Sequence, residues 1–495
     1  MQPHSADVVI VGSGPTGAAY ARIIRRDWPE ARILMVEAGP QTAPRPGTHV
    51  ANMTPGDRAV AELASQGPTR DAYAPITREE WLARHAGSHD GSLLRRQGLF
   101  MSNDDPAEDG VFAGFAAAAV GGMATQWTSG CPHPSLAERP PFIDASEMDA
   151  ALHLASELLG SEPDINPNDP AADALRAKLA EHFDDGRPQD RRVQPMPLAM
   201  HRTQYGIVTH GIETILGDML DEPEETFRIL SETACRRIIH DNGRATGVVL
   251  CRPGTDDTYE VKAGSVVVAC DSLHSPQLLW ASGIRPDALG RNINDHYQVT
   301  RLIQGDFGGP MRSMSWIPRI DPWPFSVTIS GAEERQLPFP LDEPVEDRLI
   351  FIGVFVASDI TPENRIVFDD SKTDWKGLPS FSIRARPTEG DLARIEQGRA
   401  LSDEITSLLG RPVPGLAATV LPIGSSLHYQ GTIRMGETDD GTSVCDRDSR
   451  VWGFENLHVA GNGVIPTITA TNPTPYSVAL ATLGARRIAA EKRSV

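Results

Sequence analysis

The sequence predicts an α/β fold in which a Rossmann-like, dinucleotide-type unit is interleaved with an α+β unit built on an antiparallel sheet. Three observations carry this. The chain opens with an apolar strand, a glycine-rich turn, a helix and a second strand within its first 37 residues. A second strongly apolar strand, Ser265–Cys270, recurs far downstream and again leads into a helix. Between these and the C-terminal glycine turns lies a block, 300–425, of alternating strands with one helix and no glycine motif.

At 495 residues the chain exceeds one ordinary hydrophobic core, so two intertwined units are expected. Its 44 glycines and 40 prolines imply long ordered loops rather than a helical bundle. A formal net charge of −20 argues against nucleic acid or an anionic membrane surface as partner, since both need clustered Lys and Arg. Five cysteines (131, 235, 251, 270, 445) lack metal-ligand spacing and read as free thiols in a reducing compartment. With neither a basic-then-apolar leader nor a spanning segment in the sequence, a cytoplasmic protein is expected.

In chain order, residues 7–11 read as a buried parallel strand, 15–27 as a helix and Ala31–Glu37 as the next strand. Residues 40–110 form a polar excursion with a helix expected near 79–85. Residues 111–133 turn small and apolar around Gly121 and Gly122. Helical periodicity marks 146–160, 171–183 and 207–220; Phe227–Leu230 and Ala245–Cys251 read as strands. Ser275–Gly283 reads as a helix with Pro276 at its start and Gly283 at its end. Strands are expected at 325–329, 349–357 and 381–385, and helices at 389–409 and 474–488. The dinucleotide unit is accordingly assigned to 1–50, 100–140, 225–300 and 426–495, the second unit to 141–224 and 301–425, and 51–99 to a connecting excursion.

Gly12, Gly14 and Gly17 have G-x-G-x-x-G spacing. The first allows the tight turn, the second lets backbone (with Thr16 beside it) approach a pyrophosphate, and the third lets helix and sheet pack closely. The helix N-terminus faces the phosphate charge. Glu37 ends the second strand twenty residues beyond Gly17, placed to accept from both hydroxyls of a ribose and to repel a 2′-phosphate. A bare glycine turn is the alternative; the flanking strand, helix and acid argue for a bound dinucleotide. Spacing does not choose FAD over NAD.

The run Leu-His-Tyr-Gln-Gly-Thr-Ile-Arg-Met-Gly (427–436), then Asp446-x-x-Ser449-Arg450-Val451, then Gly461-Asn462-Gly463 and Thr471-Asn472-Pro473, resembles the glucose–methanol–choline (GMC) oxidoreductases, and within them the pyranose oxidase branch. The chain's length is similar to that of the bacterial enzymes that oxidise sugars and C-glycosides at C3. The resemblance implies FAD, a GMC/glutathione-reductase type of FAD-binding domain, and a pyranose or glycoside substrate. It also implies a catalytic pair at His428 and Asn472, with the histidine taking the hydroxyl proton while hydride passes to flavin N5. Fungal relatives carry FAD on a histidine in a motif like Ser-Thr-His-Trp. Here Ala124-Thr125-Gln126-Trp127 stands instead, so FAD is expected to be non-covalent.

The residues fit that chemistry. A histidine, with its ordinary pKa of about 6.5, is suited to accept a proton at neutral pH. An asparagine donates to a developing alkoxide without adding charge. For His428 the bland alternative is a structural role, and for Asn472 an N-cap before Pro473. Gly121, Gly122, Thr125, Gln126, Trp127, Gly461, Asn462 and Thr474 are expected around the cofactor, although Trp127 also suits a core. Trp316, Trp323 and Trp375 are candidates to stack on a sugar face. His133, His201, His274 and His296 lack paired ligand spacing and read as ordinary polar or supporting residues; no metal is expected. Arg434 is bland, or a charge near a substrate entrance. Electron acceptors are O2 or a quinone, and monomer and homo-oligomer stay open. Competing readings are a pyranose 2-oxidase on free glucose, a quinone-dependent sugar dehydrogenase, and a flavin-stabilised interaction protein without activity.

Overall fold

The computed structural model describes residues 3–68, 97–103, 114–332, 348–421 and 423–493. The helix expected at 79–85 lies outside them.

The first sheet forms around Ser5–Val11, whose Val8, Val9 and Ile10 are fully buried. It pairs in parallel with Ile33–Val36 on one side and with the end of Thr258–Val268 on the other. Phe227–Leu230 extends one edge in parallel. On the far side Val266, Val267 and Val268 pair with Leu457, His458 and Val459. The first half of Thr258–Val268 belongs instead to an antiparallel meander with Arg244–Cys251 and Ala234–Asp241. Helix Pro15–Asp27 covers this sheet and packs on the C-terminal helix Thr474–Arg493. The approach is close at Gly484, where a Cβ would stand 2.0 Å from the Tyr20 hydroxyl.

The second sheet is antiparallel. Tyr297–Gly305, Arg348–Val356 and Phe325–Ala332 form its centre, with Ser315–Ile317 beyond. Helix Glu389–Leu409 packs across it, started by a capping box between Thr388 and Asp391. Gly398 lets that helix approach, since a Cβ there would already lie 3.0 Å from Val356.

Three sequence expectations need correction. Residues 207–220 are not one helix: Gly206–Thr209 pairs with Met200–Thr203 as a hairpin, and only Ile212–Leu216 is α-helical. The helix expected at 275–283 begins at Asp271, whose Oδ1 accepts from the amides of Leu273 and His274 at 2.7 and 2.9 Å. Pro276 therefore lies inside it, where it cannot donate to the Ser272 carbonyl. The hydroxyl of Thr432 donates to that carbonyl instead, at 2.5 Å. Third, helix Ala145–Leu159 and the turn at Ile212–Leu216, expected with the second unit, bury Met148, Leu152, Ile212 and Ile215 in the same core as the first sheet. Helix Pro170–Phe183 does join the second core, through Leu175 and Leu179.

Thr432→Val keeps shape and removes the hydroxyl that donates to the Ser272 carbonyl. An unsatisfied buried carbonyl costs about 1–3 kcal/mol. The variant is expected to unfold at a lower urea concentration than wild type while Thr432→Ser does not; an unchanged midpoint for Thr432→Val would contradict this reading of the Pro276 helix.

Candidate active site

One cavity of about 840 Å³ is lined by both the glycine turn and the second sheet. Its wall includes Gly12, Gly14, Glu37 and Thr233 as well as His428, Asn472, Phe355 and Leu421.

The glycine turn has the geometry its spacing predicts. Gly12 has φ +104, and a Cβ there would meet the Ala269 carbonyl oxygen at 2.2 Å. At Gly17 a Cβ would stand 2.3 Å from the Gly12 oxygen. At Gly14 a Cβ would meet nothing within 4 Å, because the position opens into the cavity. Thr16 is on the wall beside it. The Glu37 carboxylate accepts from the Ser13 hydroxyl (2.8 Å), the Ser13 amide (3.2 Å) and the Gly39 amide (2.9 Å). Burial pushes its pKa up, and these hydrogen bonds oppose that. Ser13, which the sequence reading passed over, also accepts from the Gly121 amide at 2.9 Å and so joins the first turn to the second glycine pair.

The segment after Gly121 divides its residues. Gly122 and Gln126 are on the cavity wall. Gly121 is not on the wall and serves the turn, with φ +106. Thr125, expected at the cofactor, is instead fully buried, with its hydroxyl donating to the Gly122 carbonyl at 2.9 Å. Trp127 touches the cavity, but its indole N–H is spent on the His210 carbonyl at 2.9 Å and its ring packs on the first core. Gly461, Asn462 and Thr474 all line the cavity. Of the tryptophans, Trp375 lines it, whereas Trp316 is buried with its N–H on Ser326, and Trp323 packs against Phe325 and the Arg187 guanidinium. The last two are therefore not sugar platforms. Arg434 is off the wall, bonded to the Pro466 carbonyl.

His428 and Asn472 meet across 44 residues of sequence: Asn472 Nδ2 is 3.3 Å from His428 Nε2. The Asn472 Oδ1 is buried and has no hydrogen-bond partner among the described residues, so the side chain is not consumed as a helix cap. Burial alone lowers the His428 pKa to about 3, which keeps the ring neutral. Its ring nitrogen Nδ1 lies 3.0 Å from His296 Nδ1, and its backbone amide donates to Asp295 Oδ1 at 2.9 Å. Burial raises the Asp295 pKa to about 6, hydrogen bonds opposing. The loop carrying Asn472 is tied by Glu138, a fully buried carboxylate that accepts from the amides of Ala470 (2.8 Å) and Thr471 (3.0 Å) and from the Thr471 hydroxyl (2.9 Å). Locally Glu138 reads only as the close of a capping box, its Oε2 accepting from the Ser135 amide at 2.7 Å; its reach to the Asn472 loop, more than 330 residues away, has no mark in the sequence.

The wall fits a dinucleotide. Gln126 Nε2, Asn472 Oδ1 and Trp375 Nε1 are buried polar atoms without partners among the described residues, and all three residues line the cavity. Buried polar groups are normally satisfied, so a polar ligand accounts for them. The N-terminus of helix Pro15–Asp27 has no side-chain cap, and Pro15 and Thr16 line the cavity beside it, as an anion site requires. Among the described residues no three His, Cys, Asp or Glu side chains gather as a metal set, no helix is long and apolar enough to cross a membrane, and all five cysteines are free.

A dinucleotide cradle opening onto a neutral, half-buried histidine and an amide defines a nucleotide-dependent oxidoreductase. Models of the GMC oxidoreductase family match residues 204–298 and 361–481. A C-glycoside 3-oxidase from Arthrobacter globiformis is 40% identical over 99% of this chain and 96% of its own length. A second C-glycoside 3-oxidase, from Microbacterium trichothecenolyticum, is 39% identical over 99% and 97%. A pyranose 2-oxidase from Tricholoma matsutake is 29% identical over 98% and 94%. The solved structure of a formate oxidase from Aspergillus oryzae, 15% identical, superposes with a TM-score of 0.69 over the whole of both chains, a likeness of fold. The chain belongs to the GMC oxidoreductase family, and membership implies FAD.

The His428 environment predicts a pH profile. The base form persists as pH falls through the ordinary histidine range and is lost only near the lowered pKa. A proton on Asp295 would go to its unpartnered Oδ2, leaving Oδ1 on the His428 amide. Anaerobic flavin reduction at saturating sugar is expected to stay level from pH 8 to pH 5; a steep loss at pH 6–7 would contradict a neutral, desolvated His428.

Proposed function

We propose that this enzyme oxidises a secondary hydroxyl, at C3, of a pyranose or C-glycoside to the ketone. The observation that carries the reading is the cavity-facing pair His428 Nε2 and Asn472 Nδ2, 3.3 Å apart on the wall of the cavity that the dinucleotide cradle also lines. In this reading Gly12, Gly14, Thr16 and Glu37 hold the adenosine and pyrophosphate, and Gly461, Asn462 and Thr474 hold the opposite side. Gln126 borders the ring system. FAD, when bound, would supply the hydride acceptor for the carbinol carbon, with O2 as the final electron acceptor and H2O2 as its product.

His428 Nε2 accepts the hydroxyl proton, and Asn472 donates to the oxygen as charge develops on it. The neutral ring suits both halves of the step, because a charged one would have no lone pair to offer. The second sheet supplies Thr300, Phe351 and Phe355 to the same cavity, and the segment along its edge adds Leu416 and Leu421, a mixed polar and apolar wall suited to a sugar with an aglycone. Preference for C3 over C2 is supported by the higher identity to the two 3-oxidases than to the 2-oxidase. FAD is non-covalent in this reading, since a neutral amide at Gln126 is no nucleophile toward the flavin.

Anaerobic mixing with glucose and with a C-aryl glucoside, followed by NMR of the products, is expected to find the carbonyl at C3. A carbonyl at C2 of glucose would favour the 2-oxidase reading, and no reduction by either sugar would remove the carbohydrate assignment. Acid precipitation is expected to leave a colourless pellet and a yellow supernatant; colour retained in the pellet would mean a covalent flavin.

A further inference from the structure

We infer that His296 is the positioning residue that selects the tautomer of His428, holding its proton on Nδ1 so that Nε2 keeps a lone pair toward the cavity. The inference rests on the proposed role of His428 as base.

The two nitrogens of His428 face different surroundings. Nε2 faces Asn472, whose Nδ2 is a donor and needs a lone pair opposite it. Nδ1 faces His296 Nδ1 at 3.0 Å. Two neutral imidazoles meeting nitrogen to nitrogen must divide their roles, one donating and one accepting. If His296 Nδ1 accepts, the His428 proton is fixed on Nδ1 and Nε2 is a base. If His296 Nδ1 donates, the His428 proton moves to Nε2 and the base is silenced. The state of His296 therefore decides whether His428 can work.

His296 is in turn held from its other side. Its Nε2 lies 2.9 Å from the Thr469 hydroxyl and 3.2 Å from the Gln430 amide nitrogen. Thr469 and Gln430 bond one another as well, at 2.8 and 3.1 Å. With its proton on Nε2, His296 donates to Thr469 Oγ1 and leaves Nδ1 as the acceptor. That arrangement requires the Gln430 amide turned about its axis, oxygen toward His296 Nε2, because the nitrogen placed there is itself a donor.

The choice of a histidine rather than a carboxylate here has a chemical consequence. In a serine-protease triad an aspartate fixes the tautomer and also stabilises the imidazolium. A neutral partner fixes the tautomer without raising the pKa of the base. The carboxylate nearest the pair, Asp295, is turned away from the rings: Oδ1 accepts from the His428 backbone amide and the Ser426 hydroxyl. The other groups facing His296 are the Arg319 guanidinium, whose charge disfavours a protonated ring, and the Phe355 ring, 6.1 Å from His296 and 5.4 Å from His428. Burial lowers the His296 pKa well below its ordinary value, the neighbouring His428 and Arg319 adding to it. Both rings are thus neutral when sugar binds.

The test compares His296→Leu, His296→Gln and His296→Asp as FAD-loaded proteins, by anaerobic stopped-flow reduction with a glucoside from pH 5 to 9, with His428→Ala alongside. Removing the acceptor in His296→Leu should slow reduction about 10²–10³-fold, the range of general-base losses, with half-saturation by sugar within threefold of wild type. His296→Gln keeps an amide oxygen and should recover to within about tenfold of wild type. His296→Asp supplies a charged acceptor, which raises the pKa of His428, and an acid limb should appear between pH 6 and 8. If His296→Leu does not retain FAD, the other two decide. A fast His296→Leu overturns the inference. So does a His296→Asp profile without an acid limb together with a His296→Gln as slow as His428→Ala. Near-normal reduction by His428→Ala would instead remove the base assignment itself.

Discussion

Three residues, Val266, Val267 and Val268, hold the molecule's two ends together. On one side they pair with Val9, Ile10 and Val11, which lead directly into Gly12; on the other they pair with Leu457, His458 and Val459, which lead into Gly461. All nine side chains are buried. Parallel strands buried on both faces must keep register, because a slip would push polar neighbours into the core. The consequence reaches the site: the first glycine turn and the C-terminal glycine turn emerge side by side at the same end of the sheet, and both line the cavity. A ligand crevice beyond the carboxyl ends of parallel strands is the usual outcome of this architecture.

The second constraint is electrostatic. His296 is fully enclosed and His428 is half-buried on the cavity wall with no carboxylate bonded to either ring; burial lowers both pKa values, so neither ring carries charge. In the proposed reaction the base of low pKa would take the hydroxyl proton while hydride is removed from the same carbinol, so it would need to be present, oriented and uncharged rather than strong. Asn472 would complement it with an amide dipole, on the loop that Glu138 ties down.

How much of this was legible depended on distance along the chain. Gly12, Gly14, Gly17 and Glu37 could be read because their roles are settled within 26 residues by turn geometry and strand length. Helix Glu389–Leu409 was legible for the same reason. Pro276 misled, since its cost inside a helix is offset by Thr432, 160 residues from the carbonyl it satisfies. The hairpin at 200–209 was hidden because short strands and a short helix share one apolar pattern. Thr125 reads as a cofactor contact from its neighbours, but only packing reveals that its hydroxyl turns inward to Gly122. His296 carries no local signature, since the groups bonded to its ring lie 132 or more residues away; Glu138 reads locally only as the close of a capping box with Ser135, and its hold on Ala470 and Thr471 comes from the fold.

In the proposed function one hydroxyl of a pyranose sits between His428 and Asn472 in the dinucleotide cavity. The most direct measurement is a crystal structure of the FAD-loaded enzyme with a glucoside whose C3 hydroxyl is replaced by fluorine. The sugar is expected to bind with its C3 substituent against His428 Nε2 and the Asn472 amide, and its ring along the wall formed by the second sheet. A sugar bound in the cavity with another carbon at that pair, or with neither residue in contact, would contradict it.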